Sequence, residues 1–142
     1  MRLLLWHCAE LSYVDRQASS RPTGIGELVQ PPQSGHWRDV LAVFVCVEAG
    51  DSAWHARASL QYILEALRRI GRREVVLVPF AHLSPDTAAP EEALPAIESL
   101  AALCRSERIE TSLASFGYNK GFSLSYEAKG HPGSVGYREV RR

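Results

Sequence analysis

Two short segments of this 142-residue sequence carry polar side chains at the ends of apolar runs, where packing alone gives no reason for them. The first, Pro79-Phe80-Ala81-His82-Leu83-Ser84, follows directly on Val75-Val76-Leu77-Val78. Ligands of α/β sheets gather outside the carboxyl ends of strands, so His82 is placed to touch a ligand and move a proton, or else to cap a loop. The second is Phe116-Gly117-Tyr118-Asn119-Lys120-Gly121-Phe122. Its two glycines let backbone approach a ligand closely, and its rings offer a surface on which a base can stack. The same residues also suit a tight hairpin with a solvated lysine, and both readings stand at this point.

Other chemistries find less support. Cys8, Cys46 and Cys104 are widely spaced and form no CxxC pair, which argues against a zinc site. Cys46 lies within Val43-Phe44-Val45-Cys46-Val47 and reads as a buried, inert thiol. Gly24-Ile25-Gly26 lacks the preceding strand, the third glycine and the following helix of a dinucleotide fingerprint. No metal and no cofactor are expected.

These segments need a frame to position them. Residues 2–8 read as a first strand, and residues 40–47, nearly continuous in apolar and β-branched types, as a strand buried on both faces. Between them, about residues 15–37 read as a long loop rich in Gly, Pro and Ser. Ser52 is placed to cap a helix in which Leu60, Ile63, Leu64 and Leu67 repeat at i, i+3, i+4, i+7, with Gly71 to end it. Residues 75–78 form a third strand. A second helix is predicted over about residues 90–106, with Leu94, Ile97, Ala101 and Cys104 on one stripe. Pro95 must lie in or near its first turn, or kink it. Strands over 109–114, 121–126 and 135–140 complete the order. Strands alternating with helices argue for an α/β fold with parallel crossovers, and the C-terminal run adds antiparallel partners.

Composition bounds the partners. Sixteen basic residues balance sixteen acidic ones, so the chain has no global field to gather nucleic acid, and any RNA contact must be local. Arg68, Arg69, Arg72 and Arg73 are the densest basic cluster, although a solvated helix face is their simpler reading. No stretch approaches eighteen apolar residues, so no membrane span is expected, and the chain reads as a single cytoplasmic domain over residues 1–142.

Pro79-Phe80-Ala81-His82-Leu83-Ser84, Phe116-Gly117-Tyr118-Asn119-Lys120 and Lys129-Gly130-His131-Pro132 resemble, in order and spacing, three signature stretches of one family. That family is the editing domain of archaeal-type threonyl-tRNA synthetase. Met1-Arg2-Leu3-Leu4-Leu5-Trp6-His7 and Phe44-Val45-Cys46-Val47-Glu48 fit it as well. The resemblance implies mixed β-sheets with flanking helices in a D-aminoacyl-tRNA deacylase-like fold, paired as a homodimer. It implies hydrolysis of the ester of seryl-tRNA(Thr), metal-free and assisted by the 2′-hydroxyl of the terminal adenosine. Lys120 and His82 match the family's catalytic positions. Backbone around Val47, Glu48, Ala81 and Phe116, Gly117 and Tyr118 would hold the adenosine and the seryl group. The expected partners are the acceptor end of tRNA(Thr) carrying serine and a synthetase catalytic domain, in cis or in trans.

The chemistry agrees with residue types. Serine and threonine differ by one methyl, worth only about 1–3 kcal/mol in a pocket, so charging errors need a second site. A lysine is charged near neutrality and is no general base unless strongly desolvated, which favours Lys120 as a donor to ribose, water or oxyanion. Asn119 stands where many relatives have an aromatic residue, Glu127-Ala128 looks like a small insertion, and Gly133-Ser134-Val135 supplies no acid. Lys129 and His131 are structural or contact the acceptor end. Two alternatives are a D-aminoacyl-tRNA deacylase, whose Gly-Pro motif is not found here, and a non-catalytic tRNA-binding or dimerisation module.

Overall fold

A computed structural model describes residues 1–20, 25–28, 30–126 and 135–142. Lys129 and His131, with the rest of their stretch, lie outside the described residues. Six strands and two helices follow one another as β1 (Arg2–Ala18), β2 (Ser34–Cys46), α1 (Ala53–Ile70), β3 (Glu74–Pro79), α2 (Pro90–Ser106), β4 (Glu110–Leu113), β5 (Tyr118–Ser125) and β6 (Val135–Glu139). Short 3₁₀ turns occupy Ile25–Leu28 and Ala81–Leu83.

The strands form one mixed sheet in the order β4-β3-β2-β1-β5. β2, β3 and β4 run parallel, joined through α1 and α2, as the alternation of strands and helices predicts. β5 and β6 share the other edge of β1, both antiparallel: β5 pairs with its second half and β6 with its first.

β1 is the main departure from the sequence reading. It does not stop at Cys8 but continues for ten residues, and β2 begins at Ser34, so the intervening loop is shorter than expected. The reason is an alternation whose phase switches. Leu3 and Leu5 face the helices, with Ile63, Leu67, Ile97 and Leu100. Cys8, Leu11 and Tyr13 instead belong to a second core on the opposite face, with Phe44, Val76 and Val78. The switch lies beside Asp39, which adopts φ 52° on the neighbouring strand. Past that point the sheet curls over its own face: Phe122 meets Phe44 at 5.6 Å between ring centroids, and Tyr13 stacks on Trp37 at 5.9 Å. One face of the sheet therefore carries helices and the other a second layer made from the same strands.

Both helices follow their sequence signals. Leu60, Ile63 and Leu67 of α1 are buried while Leu64 is half-buried, the Ser52 N–H donates to His55 Nδ1 (3.0 Å), and Gly71 closes the helix at φ 68°. In α2 the buried stripe is Ile97, Leu100, Ala101 and Cys104, with Leu94 half-buried. Pro95 falls in the second turn, where it removes the bond its N–H would make to the Glu91 carbonyl. β5 begins three residues before its predicted start, so Tyr118-Asn119-Lys120 is strand and not the tip of a hairpin. Burial raises the thiols of Cys8 and Cys104 to about 11, as expected for cysteines used as small hydrophobes. No helix among the described residues is long and apolar enough to cross a membrane.

Candidate active site

A cavity of about 400 Å³ opens where the carboxyl ends of β2 and β3 meet the start of β5 and the first turns of α2. Its size suits a small ligand, and its position is the one expected for α/β sheets. Val47, Ala81 and His82 line it from the strand ends, and Phe116, Gly117, Tyr118 and Lys120 from the opposite side. The structure thus gathers seven of the eight expected site residues, from segments far apart in sequence. Glu48 is the exception. Its side chain turns to Arg2 Nε (2.8 Å), the Met1 amino group (3.2 Å) and the Ser84 hydroxyl (2.5 Å), which ties the ends of β1 and β2 together. Burial pushes this carboxyl up, but Ser84, Arg2 and the amino group together hold it below the usual glutamate value.

The strand-end wall is fixed by backbone bonds. The Phe80 N–H donates to the Val45 carbonyl (2.9 Å) and the Ala88 N–H to the Val47 carbonyl (3.0 Å). Ala81 and His82 lie exposed on the 3₁₀ turn after β3, with the His82 ring edge-on to Phe80 at 5.2 Å. Cys46 is part of the same wall, and its thiol points to the Ala81 carbonyl at 3.6 Å. Burial is the first cause that raises this thiol, followed by the nearby charge of Glu48, so it is a poor nucleophile.

On the other wall Gly117 takes φ 81°, a conformation that favours glycine, and its carbonyl accepts the Ser19 N–H at 2.7 Å. The Tyr118 hydroxyl donates to the Gln30 carbonyl at 2.6 Å. Both bonds tie the loop between β1 and β2 to the cavity, and Ile25 from that loop helps to line it. Asn119 also faces the cavity and is exposed.

Lys120 is the charged group of this wall. Its side chain is only 4% exposed. Nζ lies 3.4 Å from the Tyr118 carbonyl, 3.6 Å from Asp15 Oδ1, and 5.8 Å from the centroid of the Tyr13 ring. Burial pushes the ammonium below the ordinary lysine value, while the charge and hydrogen bonding of Asp15 oppose that shift. Sequence reasoning missed Asp15. The signal was the alternation Leu11-Tyr13-Asp15, which sets a carboxylate on a buried face once β1 is allowed to continue. Among the described residues no group of three His, Cys, Asp or Glu side chains is placed to hold a metal ion. The arrangement offers a fixed, buried cation, an exposed imidazole at the rim and apolar walls, which suits stabilising negative charge that develops on a small bound ester.

Comparison with known proteins decides the family. Residues 1–140 match the family described as the archaea-specific editing domain of threonyl-tRNA synthetase. The chain belongs to that family. It is 35% identical to a threonine–tRNA ligase of Thermofilum pendens and 34% identical to one of Cenarchaeum symbiosum, each over 99% of this chain. It spans only 23% and 21% of those two proteins, about a fifth of their length. Two solved structures share its fold. One, named as a c-Myc DNA unwinding element binding protein, matches with a TM-score of 0.72 and 10% identity over all of both chains. The other, described as a probable eukaryotic D-amino acid tRNA deacylase, matches with a TM-score of 0.59 and 9% identity over 96% of this chain and 97% of that one. The expected deacylase-like fold is observed, with the strands joined in one mixed sheet and both helices on one of its faces.

Proposed function

We propose that this chain is a proofreading hydrolase that removes serine from tRNA(Thr). The observation that carries the reading is Lys120, an ammonium with a 4% exposed side chain on the wall of a cavity sized for a nucleoside end and a small acyl group. Water attacks the ester carbonyl, the 3′-oxygen of the terminal adenosine leaves, and serine and free tRNA are the products. The carbonyl oxygen gains negative charge on the way, and a preorganised cation withdrawn from solvent stabilises it better than a solvated one. Lys120 acts as that donor. His82, exposed on its turn, holds the seryl group at the rim. Backbone at Val47, Ala81, Phe116, Gly117 and Tyr118 holds the adenosine, and the neighbouring 2′-hydroxyl directs the water.

In this reading the cavity accepts serine and discriminates against threonine's extra methyl. A single methyl discriminates by only about 1–3 kcal/mol, so this second sieve multiplies the selectivity of the charging step. In this reading the chain works as a cytoplasmic domain of 142 residues, pairs as a homodimer, and serves a threonyl-tRNA synthetase catalytic domain, joined to it or separate.

The test is ligand mapping with an amide-linked analogue of the seryl ester of adenosine, which cannot be hydrolysed. Backbone resonances of residues 80–82 and 116–120 are expected to shift on binding. Shifts confined to another surface, or none at millimolar analogue, would remove the cavity from the reaction. Turnover of D-aminoacyl-tRNA in preference to seryl-tRNA(Thr) would move the chain to the other deacylase class.

A further inference from the structure

Asp15 and Lys120 stand directly opposite each other across the β1–β5 pairing, and the register shifts immediately after them, between Asp15 and Gln17. Irregularities of this kind re-aim side chains beside functional sites. The Asp15 side chain is fully buried. Oδ1 accepts the Ser115 hydroxyl at 2.7 Å, and Oδ2 accepts the Gln33 N–H at 2.8 Å. The Asp15 N–H in turn donates to the Gln33 carbonyl at 2.9 Å, and the Tyr13 hydroxyl lies 3.4 Å from the Ser115 nitrogen. A carboxylate so thoroughly bonded is held rigidly, and a buried charge of this kind persists only when it is paired.

We propose that Asp15 is the positioning residue of the site: through its fixed carboxylate it sets where the Lys120 ammonium stands on the cavity wall. This rests on the reading of Lys120 given above. The carboxylate is tied to Ser115, next to the Phe116-Gly117-Tyr118 wall, and to Gln33, at the end of the loop that reaches the cavity. One group thus aligns the cation with both. It also decides which chemistry Lys120 performs. Desolvation alone drives a lysine toward its neutral form, in which it would be a base with no charge to offer an oxyanion. Asp15 is the charged group that acts against this. Among the described residues, His82 lines the same cavity as Lys120, and the Arg16 guanidinium packs at Gly121 beside it in sequence.

Asp15→Asn removes the charge and keeps the shape. The amide oxygen can still accept the Gln33 N–H, and the Ser115 hydroxyl can turn to accept from the amide nitrogen. The sequence holds only two lysines, Lys120 and Lys129, so carbon-13 labelling at lysine gives two resolvable side-chain signals, assigned with Lys129→Arg. Lys120 is expected to titrate below the ordinary lysine value in the wild type and lower still in Asp15→Asn, while Asp15→Glu restores the wild-type direction. Single-turnover hydrolysis of seryl-tRNA(Thr) should slow about 10- to 10²-fold in Asp15→Asn, as expected for misplacing a catalytic group by an ångström. In a Lys120→Met background the same change should slow it no further. A merely structural Asp15 would leave the Lys120 titration unmoved and would slow the Lys120→Met protein by the same factor; either result overturns the proposal. Should Asp15→Asn not fold, Asp15→Glu decides: the proposal requires Lys120 to keep its charge there, and a neutral Lys120 in a folded Asp15→Glu refutes it. The titration needs no activity, so a chain unable to hydrolyse seryl-tRNA(Thr) would defeat the functional reading and still leave Asp15's hold on the ammonium measured.

Discussion

Lys120→Met separates the two things the buried ammonium does. Methionine reproduces the lysine side chain as far as Cε without its charge, and the Lys120 side chain itself is nearly closed to solvent. The lost donor to the oxyanion should cost about 2.7–4 kcal/mol of transition-state stabilisation, a drop of about 10²–10³ in kcat. KM should change little, because the charge it faces is absent from the ground state. Stability is a separate quantity. Removing one partner of a buried pair commonly costs about 3–5 kcal/mol. Here Asp15 keeps two donors, Ser115 and Gln33, and the pair distance is a long 3.6 Å, so the loss belongs at the bottom of that range. About 3 kcal/mol in a chain of this size lowers Tm by roughly 10 °C. The assay is single-turnover hydrolysis of seryl-tRNA(Thr), protein in excess, well below the variant's measured Tm. A folded variant with the wild-type rate, or one that loses only affinity, would refute the donor role.

Three further outcomes follow from the same structure. Seryl-tRNA(Thr) ending in 2′-deoxyadenosine, with serine on its 3′-oxygen, should bind nearly as well and hydrolyse far more slowly; equal rates with chemistry limiting would count against 2′-hydroxyl assistance. Glu48 has its carboxyl held below the ordinary value of 4.5 in the fold, so the stability it confers is present above that pH and disappears as pH falls through the folded value. Glu48→Gln should therefore lose about 1–3 kcal/mol near neutrality and converge with the wild type in acid, measured by urea melts from pH 7 to pH 3; a constant gap would refute the ion-pair account. Sedimentation over a range of concentrations should show a dimer, since β4 and the β5–β6 side leave strand edges to be covered, and a monomer at micromolar concentration would refute it.

How much of this was legible in the sequence depended on range. α1 and α2 were, because helical periodicity, Ser52, Gly71 and Pro90 are local signals. So was the pocket's position, since His82 follows an unmistakable parallel strand. The second half of β1 was not: its buried face shifts phase between Cys8 and Leu11, so the alternation Leu11-Tyr13-Asp15 does not continue that of residues 3–8. β5 began later in the reading than in the fold, because Asn119-Lys120-Gly121 has turn-like composition while its position in the chain is dictated by pairing with Asp15, Gln17 and Ala18. The Asp15–Ser115 bond joins residues 100 apart, and no local pattern can announce it. Glu48, read as part of the substrate-binding backbone, does not line the cavity, and its side chain bonds Arg2, Met1 and Ser84, contacts that only the folded β1–β2 end creates.

The central claim, that this cavity clears serine and spares threonine, is tested most directly by presenting the protein with seryl-tRNA(Thr) and threonyl-tRNA(Thr) under identical single-turnover conditions. The account predicts rapid loss of the seryl ester and a threonyl ester hydrolysed about 10- to 200-fold more slowly. Equal hydrolysis of the two, or none of either by folded protein, would contradict it.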